Sequence, residues 1–93
     1  MKEIVQLHVV FIGNVQGVFF RQHVKEFAEE LKITGYVKNL KDGSVEVLAI
    51  GEREILDKFL EEIEKKPGHG SISSIKKNFT KNERSFDLFE IRY

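Results

Sequence analysis

The sequence predicts an α+β fold in which two helices lie on one face of an antiparallel sheet, and three observations carry that reading. Apolar residues recur at helical spacing in two segments, Val24 to Leu31 and Ile55 to Ile63. The segments around them alternate in polarity or are apolar on both faces, as strands do. The resulting order is strand, helix, strand, strand, helix, strand, with a short extra strand pairing near the end.

Each element has its own signal. From Ile4 to Ile12, Leu7, Val9 and Phe11 alternate with His8, Val10 and Ile12, so both faces are largely apolar and a central strand is expected. Val24, Phe27, Ala28 and Leu31 then form one stripe while Lys25, Glu26, Glu29 and Glu30 take the opposite face, and Gly35 is read as the stop. Tyr36 to Leu40 and Ser44 to Ile50 flank the turn signal Lys41-Asp42-Gly43 and are expected to pair as a hairpin. Ile55, Leu56, Phe59, Leu60 and Ile63 form the second stripe, ended by Lys65-Lys66-Pro67-Gly68 with cations at the negative end of the helix. Glu61/Lys65 and Glu62/Lys66 are i, i+4 pairs on its solvated face. After a Gly/Ser loop, Ser74 to Phe79 and Phe86 to Tyr93 read as strands on either side of Thr80-Lys81-Asn82-Glu83. This is the split βαβ, or ferredoxin-like, order.

With 93 residues the chain fits a single domain, 1–93, with one core. Fifteen basic and fifteen acidic side chains give a formal net charge of zero, so no global field favours nucleic acid or an anionic membrane, and any anion site must be local. The absence of cysteine excludes disulfides and thiolate chemistry. No basic leader precedes the first apolar run, and no apolar stretch approaches a membrane span, so a cytoplasmic, unanchored chain is expected. Nothing in the patterning requires an oligomer, and a monomer is the default.

The stretch Gly13-Asn14-Val15-Gln16-Gly17-Val18-Phe19-Phe20-Arg21 leaves the first strand and enters the first helix. It offers no Ser, Thr, Asp or Asn between Val15 and Arg21 to cap that helix, and no carboxylate precedes Glu26. Arg21 and His23 therefore stand at the positive end of a helix dipole, the wrong sign unless a negative ligand sits there. The stretch is neither a dinucleotide fingerprint, which needs a third glycine, nor a Walker A loop, which needs Gly-Lys-Ser/Thr. What remains is a phosphate cradle, in which the amides of Gln16, Gly17, Val18, Phe19, Phe20 and Arg21 converge on one oxyanion and the Arg21 guanidinium supplies paired planar donors.

This stretch resembles the signature of the acylphosphatase family, Gly-x-Val-Gln-Gly-Val-x-aromatic-Arg. A second motif of that family, Gly-aromatic-Val-x-Asn followed by a Gly-x-Val turn, is matched by Gly35-Tyr36-Val37-Lys38-Asn39 and Gly43-Ser44-Val45. The ending Phe89-Glu90-Ile91-Arg92-Tyr93 is also similar to that of many members, where it packs in the core. The resemblance covers nearly the whole chain. It implies hydrolysis of acyl phosphates to a carboxylate and inorganic phosphate with no metal and no cofactor, Arg21 and the loop amides holding the phosphate and Asn39 positioning the attacking water. A free phosphate or sulfate anion would fit the same site. Such chemistry suits so spare a site. A carboxylate leaves without a general acid, because its conjugate acid has a pKa of about 4. Positioning and charge stabilisation dominate loose phosphoryl transfer.

Other residues carry weaker readings. Asn39 by composition alone is a strand end or turn former, and Gly17 alone is a tight-turn glycine. His8, His23 and His69 have no metal-ligand spacing and are assigned no role. At least one of Phe19 and Phe20 is expected to pack in the core, and Asp42 and Glu46 are read as turn and strand-surface residues rather than a catalytic carboxylate pair. The main rival class is a binding module, but Ser44 to Ile50 lacks the aromatic pattern with which this fold binds RNA. A second rival places the domain within a larger hydrogenase-maturation protein handling carbamoyl phosphate. No second motif reads the acyl end of a substrate, so broad acyl tolerance is expected.

Overall fold

A computed structural model describes residues 3–17, 19–67, 70–82 and 84–93. Val18 of the expected cradle, Gly68 and His69 of the loop, and Glu83 of the expected turn lie outside the described residues. The elements follow in the order β1 (Ile4–Asn14), α1 (Phe20–Glu30), β2 (Thr34–Asn39), β3 (Val45–Glu52), α2 (Arg53–Lys65), β4 (Ser71–Lys81) and β5 (Phe89–Arg92). They build one sheet in the order β4-β1-β3-β2-β5. The first four strands in that order pair antiparallel, with Leu7 opposite Ala49 and Val37 opposite Val47. The fifth departs from the expected antiparallel sheet, because β5 runs parallel to β2, Val37 facing Ile91.

Alternation places Leu7, Val9 and Phe11 of β1, Val45, Val47 and Ala49 of β3, and Val37 of β2 in one buried cluster with Val24 and Ala28 of α1 and Leu56, Phe59 and Ile63 of α2. Both helices therefore bury their stripes against the same sheet face. The cluster includes Phe11 and Phe20, with ring centroids 5.3 Å apart in an edge-to-face pair. Of the two expected pairs on α2, Lys66 Nζ stands 3.9 Å from Glu62 Oε2.

Gly35 does not end α1. The helix closes at Leu31 and turns at Lys32, which takes the left-handed conformation with φ 58°. Gly35 instead lies inside β2, where φ is 140° and a Cβ would come within 1.9 Å of the Leu48 carbonyl oxygen. The glycine is required by backbone approach between β2 and β3 rather than by a turn.

The last two strands occupy opposite edges of the sheet and do not pair with each other. The connection between them passes the face away from the helices. Phe86 lies on the Tyr36 ring at 6.1 Å, and Arg92 stacks on Tyr36 at 4.2 Å. On the same face Glu46 accepts from Tyr36 Oη at 3.2 Å and lies 2.9 Å from His8 Nε2. Burial raises the Glu46 pKa, but the hydrogen bonds from His8 and Tyr36 and the nearby Lys38 outweigh it, leaving the carboxyl below its ordinary value. Burial and the Glu46 charge push the Tyr36 phenol up. Glu46 is thus a partly buried hub of the open face, more than the strand-surface residue expected. Among the described residues no helix is long and apolar enough to cross a membrane.

Candidate active site

The mouth of α1 holds two left-handed residues, Gly17 and Phe19, on either side of Val18. Gly17 has φ 71°, with open space where a Cβ would stand, so the glycine answers a backbone conformation rather than packing. Phe19 has φ 61° and ψ 17° and occupies the cap position without offering a side-chain acceptor. Its carbonyl accepts the first helical hydrogen bond, from His23 N–H at 3.1 Å. Among the described residues no side chain caps α1, and its first turn holds no acidic residue. The helix presents unpaired N–H groups and a positive dipole end, the arrangement that favours an anion.

A cavity of about 290 Å³ opens at this helix mouth. Gly17, Arg21 and Gln22 line it beside the apolar groups of Val15, Phe19 and Phe20, and β5 supplies Ile91 with Tyr93 just beyond it. The two phenylalanines separate. Phe20 is buried in the core, while Phe19 is 76% exposed. Arg21 reaches toward the end of the chain, where its Nη1 donates to the Arg92 carbonyl at 3.3 Å and its guanidinium carbon stands 4.7 Å from the centre of the Tyr93 ring. One of five guanidinium N–H donors is so engaged, and the fork is steered into the cavity.

Asn39 closes β2 opposite Val45 and does not line this cavity. The link between it and the cradle is Gln16, whose Nε2 donates to the carbonyls of both Leu40 and Ser44 at 2.8 Å. The loop is therefore fastened to the β2–β3 turn immediately after Asn39. That turn is held by Asp42, which accepts from the backbone and hydroxyl of Ser44. These bonds hold the Asp42 carboxyl below its usual range and make it a turn former, as expected. The Asn39 side-chain oxygen is buried and has no hydrogen-bond partner among the described residues. A buried acceptor without a donor is uncommon and costs roughly 1–3 kcal/mol. Among the described residues no three His, Asp or Glu cluster as metal ligands would.

Two parts of the site escape sequence reasoning. The Gln16 side chain acts as a clasp, whereas only its amide was expected to matter. Phe19 and Tyr93 form an exposed aromatic rim, and Tyr93, 99% exposed, departs from the expectation that the ending packs in the core. Phe89 of that ending does pack there, 6.2 Å from Phe59. The spare aromatic before a buried one, Phe19-Phe20, was the available signal for the rim.

The comparisons with known proteins agree with this geometry. Residues 7–91 match the family model described as acylphosphatase. An acylphosphatase of Archaeoglobus fulgidus is 39% identical over 89 residues, covering 96% of this chain and 99% of that protein. The crystal structure of acylphosphatase from Bacillus subtilis superposes with a TM-score of 0.91 at 32% identity, over 96% of this chain and 99% of that one. HypF of T. kodakarensis contains a similar unit, with a TM-score of 0.80 and 33% identity, which covers 99% of this chain and only 12% of that protein. The chain belongs to the acylphosphatase family and is an enzyme of that kind, a hydrolase of acyl phosphates.

Proposed function

We propose that hydrolysis proceeds by in-line attack of a water, oriented by Asn39, on a phosphate held at the α1 mouth by Arg21 and the backbone amides of residues 16–21. The observation that carries this reading is the cavity in which the Arg21 fork and the uncapped start of α1 converge. The water oxygen bonds to phosphorus as the bond from phosphorus to the acyl oxygen breaks. The carboxylate departs with that electron pair, and a phosphate oxygen takes the water proton. Arg21 and the amides stabilise charge on the equatorial oxygens, and this fixed array needs no reorganisation as the bond breaks. Asn39 takes its role from the motif; its carboxamide oxygen, buried and without a donor among the described residues, is an acceptor that could hold a water by its proton without acting as a base once it is exposed to the phosphate. The Gln16 clasp keeps the cradle and the Asn39 turn in fixed relation.

The same reading takes 1–93 as a single catalytic domain, cytoplasmic and monomeric, acting on a small-molecule acyl phosphate without metal or other cofactor. The test is release of carboxylate from benzoyl phosphate in the presence of chelator. The chain should turn it over, and Asn39→Ala should lower kcat by roughly 10²–10³ while inorganic phosphate still inhibits. Loss of phosphate inhibition in folded Asn39→Ala would make Asn39 a phosphate ligand or a fold residue instead, and absence of turnover by the unaltered chain would overturn the mechanism.

A further inference from the structure

We infer that Phe19 and Tyr93 form an aromatic clamp for the acyl end of the substrate and bias this enzyme toward acyl phosphates whose acyl group carries a single ring, a preference that rests on the site proposed above. The backbone of Phe19, its exposure and that of Tyr93 lead there. Phe19 is a bulky residue held at φ 61°, a conformation such residues seldom adopt and one that clusters at functional positions. Its ring is 76% exposed, directly beside Phe20, which the core absorbs. Tyr93 is 99% exposed yet lines the same cavity, so two large rings that folding leaves in water face one space.

The cavity is chemically divided. Arg21 and the start of α1 form its polar end, and Phe19, Tyr93 and Ile91 form an apolar rim. A ligand matching both parts has an anion at one end and an apolar body adjoining it. At about 290 Å³ the space lies at the small end of ligand sites, which run roughly 300–1,000 Å³, so it suits a small ligand. Tyr93 lies within 4.7 Å of the Arg21 guanidinium, which places the rim beside the cation. An acyl phosphate joins its phosphate to its acyl group through one oxygen, so the same short distance separates the two parts of the substrate. The broad acyl tolerance expected from the sequence is thereby narrowed.

The experiment compares kcat/KM for benzoyl phosphate and for acetyl phosphate in the unaltered chain, Phe19→Ala, Phe19→Tyr, Tyr93→Ala and Tyr93→Phe, with inhibition by inorganic phosphate measured in each. The ratio of benzoyl to acetyl should fall about 10-fold in each alanine variant, the loss expected when a ring gives up part of its burial. It should be kept in Phe19→Tyr and Tyr93→Phe, and phosphate inhibition should change less than the ratio. If the two substrates decline together in the alanine variants, the rings only prop Arg21 and the clamp is refuted. If the ratio is unmoved, the acyl group does not touch them and the clamp is equally refuted. Turnover of neither substrate by the unaltered chain would instead sink the hydrolytic mechanism beneath it.

Discussion

The two helices start differently, and the difference locates the chemistry. α2 begins after Glu52 in extended conformation, carries Glu54 in its first turn and ends with Lys65 in its last, so charges of the chain itself answer its dipole at both ends. Its mouth arginine, Arg53, is committed locally, with its guanidinium 3.6 Å from the centre of the Phe79 ring and its Nε 3.7 Å from Asp57 Oδ1. α1 begins after left-handed Phe19, carries no carboxylate in its first turn and no cation in its last. Its mouth arginine is directed into a cavity. Two helices packed on the same sheet face thus differ: one is electrostatically closed, while the other is left open at its positive end, where the proposed mechanism places the phosphate.

The largest test of this contrast exchanges each arginine for alanine. Arg21→Ala should lower kcat/KM by about 2–5 kcal/mol of transition-state stabilisation, roughly 30- to 5,000-fold. Arg53→Ala should leave kcat/KM unchanged and lower only the melting temperature. Equal losses in the two variants would erase the distinction. A smaller effect comes from giving α1 the acid it lacks. Gln22→Glu places a carboxylate beside the cavity and should weaken inhibition by inorganic phosphate about tenfold, while raising stability in denaturant by about 0.3–1 kcal/mol. The reverse change in α2, Glu54→Gln, should lower stability by about 0.3–1 kcal/mol and leave phosphate inhibition alone. The smallest effect arises away from both helix starts, on the open sheet face. Because the folded-state pKa of Glu46 is depressed, its contribution is present above the ordinary value of 4.5 and is lost as pH falls through the lower folded value. Unfolding midpoints followed downward from pH 5 should therefore fall less steeply in Glu46→Gln, with kinetics at neutral pH the same in both chains.

Much of this contrast could be read in the sequence. Periodicity located both helices, since their stripes answer to local spacing, and the missing cap and missing acids of α1 are local facts too. The parallel pairing of β5 with β2 could not be read, because it depends on where a distant edge becomes available and not on alternation within residues 89–92. The same limit hid the rim, for Tyr93 lines the same cavity as Phe19 only through that pairing. Gly35 was misplaced because helix stops and close strand approach both call for glycine, and only the distance to the Leu48 carbonyl separates them. The motif singles out Asn39, while the lack of a donor to its oxygen among the described residues is a property of its burial.

The bond from Arg21 to the Arg92 carbonyl joins residues 71 positions apart. Such closure is slow relative to local pairing, since the intervening chain must first be ordered. In a refolding experiment helical signal and the β2–β3 hairpin should therefore return before turnover does. Catalytic competence becomes a clock for the last event of assembly, the arrival of the end of the chain beside its beginning.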